Sequence, residues 1–223
     1  MEKNLKQQAF TKFFAGFLMV ALLLFVPAGT LRWSNAWVFM GLLFVPMFVV
    51  GLILMKKNPE LLGKRLQAKE RRGEQKGVIG GSAVMFLLGF VLCGLDRRFG
   101  WSALPVWLPI AAGVLFLVAY ALYGEVLREN AYLSRTIEVQ EGQQVVDTGL
   151  YGVVRHPMYA VTLLLFLSMP LLLGSLWGFV VFLVYPVLIV RRLLDEEKLL
   201  AAELPGYTAY QKKVKYRLIP FVW

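Results

Sequence analysis

Apolar positions along the chain are grouped into long uncharged runs. The runs cover Phe13–Leu31, Ala36–Met55, Val78–Leu95, Leu104–Gly124 and Met158–Val190, with lengths of 19, 20, 18, 21 and 33 residues. A helix of about 18 or more apolar residues is long enough to cross a bilayer. We therefore predict that the first four runs are membrane-spanning helices.

The fifth run is too long for a single crossing. It contains Pro170 and Gly174, and we expect the chain to turn at Gly174-Ser175. Each half is then about 16 residues, or roughly 24 Å as a helix, slightly short for a hydrocarbon core of about 30 Å. The predicted fold is thus an all-α integral membrane protein, a polytopic bundle of about six segments with a short-helix hairpin over residues 158–190.

Composition supports this fold and excludes several classes of protein. Hydrophobic residues make up 58% of the chain and charged residues 17%, whereas a typical soluble domain is nearer half apolar and a quarter charged. A soluble enzyme, a disordered protein and a secreted disulfide scaffold are therefore excluded. The single cysteine, Cys93, makes no internal disulfide or Cys-rich metal site. We expect it to be a packing residue, and we predict no metal.

The net charge of +10 follows the predicted topology. The N-terminal tail, the segments 56–76 and 125–157, and the chain from Arg191 together hold 21 of the 24 Lys and Arg residues. The positive-inside rule assigns that side to the cytoplasm, so both termini are predicted to be cytoplasmic. Short loops and the lack of a targeting tail favour a bacterial inner (plasma) membrane. We expect membrane lipids as partners and no nucleic acid.

The chain divides into two predicted regions. Residues 1–124 contain four transmembrane helices and a basic cytoplasmic loop at 56–77, and residues 125–223 hold the candidate chemistry. Within the loop, Asn58-Pro59-Glu60 is a typical helix start. Two interpretations of this loop remain: a helix on the membrane surface, or a solvated loop. In the first, Leu61, Leu62 and Leu66 face the membrane and Lys64, Arg65 and Lys69 face water.

The third run is rich in glycine. Small residues let helices approach one another closely, and we expect this role for Gly77, Gly80, Gly81, Gly89 and Gly94.

The segment 125–157 is unlike an ordinary solvated loop. Residues 136–140 and 144–148 both alternate in polarity around Glu141-Gly142, which predicts two short extended stretches around a turn. Pro157 is placed to start the next helix. His156, the single histidine, then lies just outside the positive end of that helix.

The hairpin brings two polar segments together. Because its arms are antiparallel, His156 and Tyr159 should lie near Arg192 and Glu196 on the cytoplasmic face. Such a site suits a substrate with a lipophilic tail and a polar head. Simpler explanations exist for the individual residues: Arg155 is a residue that can snorkel to water, and Arg192 with Glu196 can form a surface ion pair.

Three motifs resemble the isoprenylcysteine carboxyl methyltransferase family in its bacterial form. They are 149–159 (Gly-Leu-Tyr-x-x-x-Arg-His-Pro-x-Tyr), 192–197 (Arg-x-x-x-Glu-Glu) and 204–210 (Leu-Pro-Gly-Tyr-x-x-Tyr). The resemblance extends over about residues 125–220. It implies an integral membrane enzyme that uses S-adenosylmethionine without a Rossmann domain.

The resemblance also implies roles for individual residues. Arg192 would lie near the reacting carboxylate of the substrate, and Arg192 and Glu196 would be the catalytic pair. The family often has a histidine at the position of Gln143 or Gln144, which this chain lacks, so contact there would be made by backbone. The implied cofactor-binding residues are Gln143, Gln144, Val145, Val146, Tyr151, His156, Pro157, Met158, Tyr159 and Glu196.

The predicted activity is methyl transfer to a lipophilic small-molecule or prenylated substrate, with an isoprenylcysteine-like carboxylate as the leading acceptor. A carboxylate is already ionised at neutral pH, so it needs no strong base. Three alternatives remain: a phospholipid N-methyltransferase, an NADPH-dependent reductase of the sterol-reductase type, and a non-catalytic membrane scaffold. For the reductase, Lys212, Lys213 and Lys215 would hold the 2′-phosphate of NADPH.

Overall fold

The computed structural model describes residues 2–66, 73–134 and 137–223, with side chains described for 4–66, 75–134 and 137–223. These residues are mostly helical, and no strand occurs among them. The helices are α1 (Glu2–Ala28), α2 (Ser34–Lys57), α3 (Pro59–Leu66), α4 (Gly73–Phe99), α5 (Trp107–Glu129), α6 (Pro157–Leu173), α7 (Leu176–Phe182), α8 (Val184–Glu203) and α9 (Tyr207–Lys213).

Five helical segments are long and apolar enough to cross a membrane: α1, α2, α4, α5 and the combined α7–α8. The apolar helix α6 is shorter. The predicted all-helical, polytopic membrane protein with about six segments is thus confirmed. Several helices are longer than the uncharged runs because the helical backbone continues into charged residues. Helix α4, for example, begins at Gly73, five residues before its run. Helix α5 instead starts later than predicted, at Trp107, so Pro105 precedes it and Pro109 lies in its first turn.

The predicted turn of the hairpin is confirmed. Gly174 has a left-handed φ of 86° directly after α6, a conformation that glycine adopts without steric cost. Ser175 then caps α7, because its Oγ accepts a hydrogen bond from the backbone N–H of Gly178 at 2.9 Å. The second arm continues beyond the apolar run into charged residues: α7 and α8 together run from Leu176 to Glu203, interrupted at Leu183.

The bundle is held by helix pairs and by an aromatic core. Helix α5 packs along α6, α1 packs along α4, and α4 also packs against α7 and α8. The rings of Phe86 and Phe90 both contact Phe182. Cys93 is fully buried in this core, as expected.

Only some of the glycines in α4 serve close packing. A Cβ at Gly89 would collide with the Phe182 ring, and a Cβ at Gly94 would lie 2.6 Å from the carbonyl oxygen of Leu24. A Cβ at Gly77 or Gly80 would meet no described atom within 4 Å. The prediction was therefore right for Gly89 and Gly94 and wrong for Gly77 and Gly80, which lie away from the helix contacts.

We expect Gly94→Ala to destabilise the bundle. The new methyl group would also lie 2.9 Å from the Cβ of Pro27, and backbone on α1 cannot move aside easily. Overpacking of this kind costs about 1–3 kcal/mol. Gly80→Ala is the matched control on the same helix, and it should be neutral or slightly stabilising. Apparent melting temperatures in detergent measure both. Equal melting temperatures would refute this account of Gly94.

Helix α3 begins as predicted. The backbone N–H of Leu61 donates to Asn58 Oδ1 at 3.0 Å, so Asn58 is the N-cap and Pro59 takes the first position. The solvated-loop alternative is therefore wrong. Leu61 and Leu62 are buried, and α3 contacts α2 and α1, so these leucines are covered by protein instead of facing the membrane. Lys69 lies outside the described residues.

A buried carboxylate ties the loops together at the end of the bundle opposite α3. Asp96 accepts hydrogen bonds from the backbone N–H of Ser102 at 2.7 Å, from Ser102 Oγ at 2.6 Å and from Ser175 Oγ at 2.5 Å. The α4–α5 connection is thereby fixed to the hairpin turn. The sequence analysis missed this residue, since it comes directly after an apolar run.

The segment before the hairpin contains the predicted turn. The backbone N–H of Gln143 donates to the carbonyl of Gln140 at 3.0 Å, and Gly142 has a φ of 70°. The two stretches beside the turn, residues 137–140 and 143–148, form no strand. The N–H of Gln140 bonds instead to the Gln143 side chain at 2.9 Å. Thr136 lies outside the described residues.

Candidate functional site

A cavity of about 810 Å³ lies between the transmembrane helices and the segments that follow α5 and α8. Its volume is within the range of about 300–1,000 Å³ typical of small-molecule sites. Pro157 is the one predicted site residue that does not line it; this proline occupies the first position of α6. The predicted residues that line the cavity are Gln143, Gln144, Val145, Val146, Tyr151, His156, Met158, Tyr159, Arg192 and Glu196.

Tyr159 is the centre of the polar part of the cavity. Its hydroxyl donates to Glu196 Oε2 and accepts from Arg192 Nε at 3.1 Å. The His156 ring lies nearly parallel to the Tyr159 ring, with centroids 5.7 Å apart and an interplanar angle of 19°. The hairpin thus brings together the four residues that its topology predicted to be neighbours.

Gln75, at the start of α4, also belongs to this group. Its side chain is 1% exposed. Its Oε1 accepts from Arg192 Nη1 at 3.1 Å, and its Nε2 donates to Asp195 Oδ2 at 2.6 Å. Gln75 was not predicted as a site residue. In the sequence it is marked only as a polar residue shortly before an apolar run. The N-terminal region therefore contributes directly to the site.

Arg155 forms a buried ion pair and does not snorkel to water. Its Nε donates to Glu197 Oε1 at 2.6 Å, and its Nη1 donates to the carbonyls of Val214 and Lys215 at 2.8 and 2.9 Å. The other oxygen of Glu197 accepts from Arg217 Nε at 2.9 Å. Glu197 therefore joins α8 to the segment before α6 and to the C-terminal segment.

The same carboxylate lies beside His156. Its Oε1 is 3.3 Å from His156 Nε2, and the Tyr207 hydroxyl is 3.5 Å from that nitrogen. The backbone N–H of His156 donates to the carbonyl of Arg217 at 2.9 Å. Both the ring and the backbone of His156 are thus held by elements that come later in the chain.

Buried tyrosines line the cavity beside α9. Burial raises the pKa of Tyr151, Tyr207 and Tyr210 above the usual value for a phenol, so these hydroxyls stay protonated at neutral pH and can donate hydrogen bonds. The Tyr210 hydroxyl donates to the carbonyl of Tyr151 at 2.7 Å. Asn130 Nδ2 donates to the Tyr151 hydroxyl at 3.0 Å.

The polar lining of the cavity carries charges of both signs beside aromatic rings. Carboxylates come from Glu138 and Glu196, guanidiniums from Arg65, Arg155 and Arg192, and rings from His156 and Tyr159. The irregular backbone of residues 143–146 adds peptide groups. These features fit S-adenosylmethionine, which carries a sulfonium, an ammonium, a carboxylate and an adenine.

The opposite end of the cavity is apolar and lies among the transmembrane helices. The cavity is long: Tyr159 in its polar part and Met169 in its apolar part are ten positions apart on α6, a rise of about 15 Å. The apolar lining comes from α1, α2, α4 and α6. It includes Met19, Leu23, Leu43, Phe90, Phe166 and Met169.

Comparisons with known proteins gave matches to part of the chain. Residues 107–204, somewhat less than half of the chain, match the family model described as phospholipid methyltransferase. The matched residues run from the start of α5 to the residue after α8. A delta(14)-sterol reductase from Mus musculus is 35% identical over 91 residues, which is 40% of this chain and 22% of the reductase. The chain thus matches less than a quarter of the length of this curated relative.

Proposed function

We propose that this chain transfers a methyl group from S-adenosylmethionine to the carboxylate of a lipophilic, isoprenylcysteine-like acceptor at the cytoplasmic membrane surface. One observation carries the proposal: a single cavity has an apolar end among the transmembrane helices and a polar end that contains Arg192 and Glu196. The match to a methyltransferase family supports the reaction class.

The polar end is the proposed cofactor site. When bound, S-adenosylmethionine supplies a methyl carbon whose bond to sulfur breaks with the electron pair left on sulfur. Glu196 would attract the positive charges of the cofactor, and its geometry is fixed by the hydroxyl of Tyr159. His156 and Tyr159 would offer ring faces to the adenine, and the backbone of residues 143–146 would offer hydrogen-bonding groups.

Arg192 is the proposed partner of the acceptor. A guanidinium binds a carboxylate in a planar, two-pronged geometry, and Arg192 lines the cavity beside Glu196. Because the acceptor carboxylate is already ionised, its methylation releases no proton and needs no general base. The residues of the site then act by alignment, which can lower a barrier by several kcal/mol.

An amine acceptor is a second candidate, favoured by the name of the matching family model. Methylation of an amine releases a proton, and Glu138 and Glu196 are carboxylates in the cavity that could receive it. The two products are easily separated after transfer of a labelled methyl group. Alkali releases labelled methanol from a methyl ester, whereas an N-methyl group keeps its label.

A reductase is a third candidate, favoured by the sterol reductase relative. It needs cations for the 2′-phosphate of NADPH, and Lys212, Lys213 and Lys215 were the candidates. Lys213 instead pairs with Asp147 at 2.6 Å on the protein surface. The three lysines are not among the residues that line the cavity, so they do not form a phosphate site inside it.

Calorimetric titration of the detergent-purified protein tests the proposal. We expect saturable binding of S-adenosylhomocysteine and no binding of NADPH. His156→Ala should lose binding, because the ring that stacks on Tyr159 is removed. Ser168→Ala is the matched control: Ser168 is buried on α6, the helix that His156 precedes, and its hydroxyl donates locally to the carbonyl of Leu165 at 2.8 Å.

The other outcomes contradict the proposal in different ways. Binding of NADPH alone would support the reductase. Binding of neither ligand by a folded protein would support a non-catalytic membrane scaffold.

A further inference from the structure

Gln75 belongs to α4 and lies between two side chains of α8, the buried Asp195 and the half-buried Arg192. Asp195 is 7% exposed and accepts from the Gln75 amide nitrogen, while Arg192 donates to the amide oxygen. A carboxylate accepts hydrogen bonds and a guanidinium donates them. The two neighbours therefore determine which end of the Gln75 amide faces each of them.

The Gln75 contact fixes the orientation of Arg192. A guanidinium is planar and rigid. Its Nε donates to the Tyr159 hydroxyl on α6, and its Nη1 donates to Gln75 on α4. Two bonds to partners on different helices restrain the plane of the group more than either bond alone, because each bond limits rotation about the axis of the other.

The neutral charge of Gln75 also matters. An amide oxygen accepts from the guanidinium without cancelling its positive charge, whereas a carboxylate in the same place would compete with an anionic ligand. Asp195 bonds to the nitrogen of the same amide, and Arg192 bonds to its oxygen. Gln75 thus contacts the guanidinium without adding a negative charge beside it.

We propose that Gln75 is a positioning residue that fixes the plane of the Arg192 guanidinium toward the acceptor carboxylate. The part that concerns the acceptor rests on the proposed methyl transfer. The part that concerns Arg192 rests only on the contacts among α4, α6 and α8. Binding of the acceptor therefore depends on the N-terminal half of the chain as well as on the C-terminal half.

Gln75→Leu and Gln75→Asn test the role in activity. Leucine keeps about the same volume and removes the amide. Asparagine keeps the amide, but its side chain is one methylene shorter, so the amide lies further from Arg192 and Asp195. With an N-acetyl-S-prenylcysteine as the acceptor, we expect kcat/KM to fall by up to roughly 100-fold, as for a small misplacement of a reacting group. The dissociation constant of S-adenosylhomocysteine should stay within about twofold. Ser168→Ala should change neither quantity.

Two results would each refute the proposed role of Gln75 in activity. One is an unchanged kcat/KM for the acceptor in a folded Gln75→Leu protein. The other is an equal loss of acceptor turnover and S-adenosylhomocysteine binding, which would indicate general disruption of the site.

A double-mutant cycle tests the contact without any activity. Gln75→Leu, Arg192→Met and the double variant are compared by apparent melting temperature. We expect the double variant to lose clearly less than the sum of the two single losses, because both remove the same hydrogen bond. Additive losses would overturn the inference. Coupled losses in a protein that binds no S-adenosylhomocysteine would leave the contact standing and overturn the proposed function.

Discussion

Glu196→Gln is expected to weaken binding of S-adenosylmethionine by about 10- to 100-fold. The carboxylate lines the polar end of the cavity and accepts a hydrogen bond from the hydroxyl of Tyr159. A hydrogen bond to a charged group contributes about 1.5–3 kcal/mol, and glutamine keeps the shape of the side chain but removes its charge. Binding of S-adenosylhomocysteine should weaken less, because that molecule lacks the positive charge on sulfur. Calorimetry with both ligands measures the difference.

Glu203→Gln is the matched control for this experiment. Glu203 lies on the same helix, α8, is exposed, and does not line the cavity, so its replacement removes the same charge without touching the site. It should leave both affinities unchanged. Equal weakening for the two ligands in Glu196→Gln would show that Glu196 does not contact the sulfonium, and no weakening would remove it from the cofactor site.

Glu197→Ala is expected to cost about 3–5 kcal/mol of stability, the usual penalty for removing one partner of a buried ion pair. The change leaves the guanidinium of Arg155, which is 7% exposed, without its carboxylate. It also removes the partner of Arg217. The apparent melting temperature in detergent should fall markedly, and Glu203→Gln should melt like the unaltered protein.

A second variant separates this ion pair from general damage. If the penalty comes from an unpaired buried charge, Arg155→Met together with Glu197→Met should be more stable than Glu197→Ala alone. A double variant that melts below the single one would contradict this explanation. It would indicate that the hydrogen bonds of Arg155 to the carbonyls of Val214 and Lys215 are what stabilise the fold.

The sequence predicted those parts of the fold that depend on local chemistry. Apolar length identified the transmembrane segments, because a bilayer imposes a minimum helix length. Gly174 identified the hairpin turn, since the left-handed conformation there favours glycine. The hairpin then brought His156, Tyr159, Arg192 and Glu196 into one cavity. Their roles in binding and catalysis stay predictions.

The sequence did not predict contacts that depend on how distant helices dock. Gln75 lies 117 and 120 positions before its partners Arg192 and Asp195. Its place in the site follows from the packing of α4 against α8, which no local pattern encodes. The same reason explains the errors at Gly77 and Gly80, where composition suggested close packing but the docked face of α4 lies elsewhere.

The ion pair of Arg155 has a consequence for the synthesis of the chain. Its carboxylate partner, Glu197, comes 42 positions later. At roughly 5–20 residues per second, Arg155 is made about 2–8 s before Glu197. During that interval the arginine can remain hydrated only if it has not yet docked against the helices. Pairing of Arg155 with Glu197 therefore follows synthesis of the last apolar segment, and the segment before α6 can dock against α8 only after that.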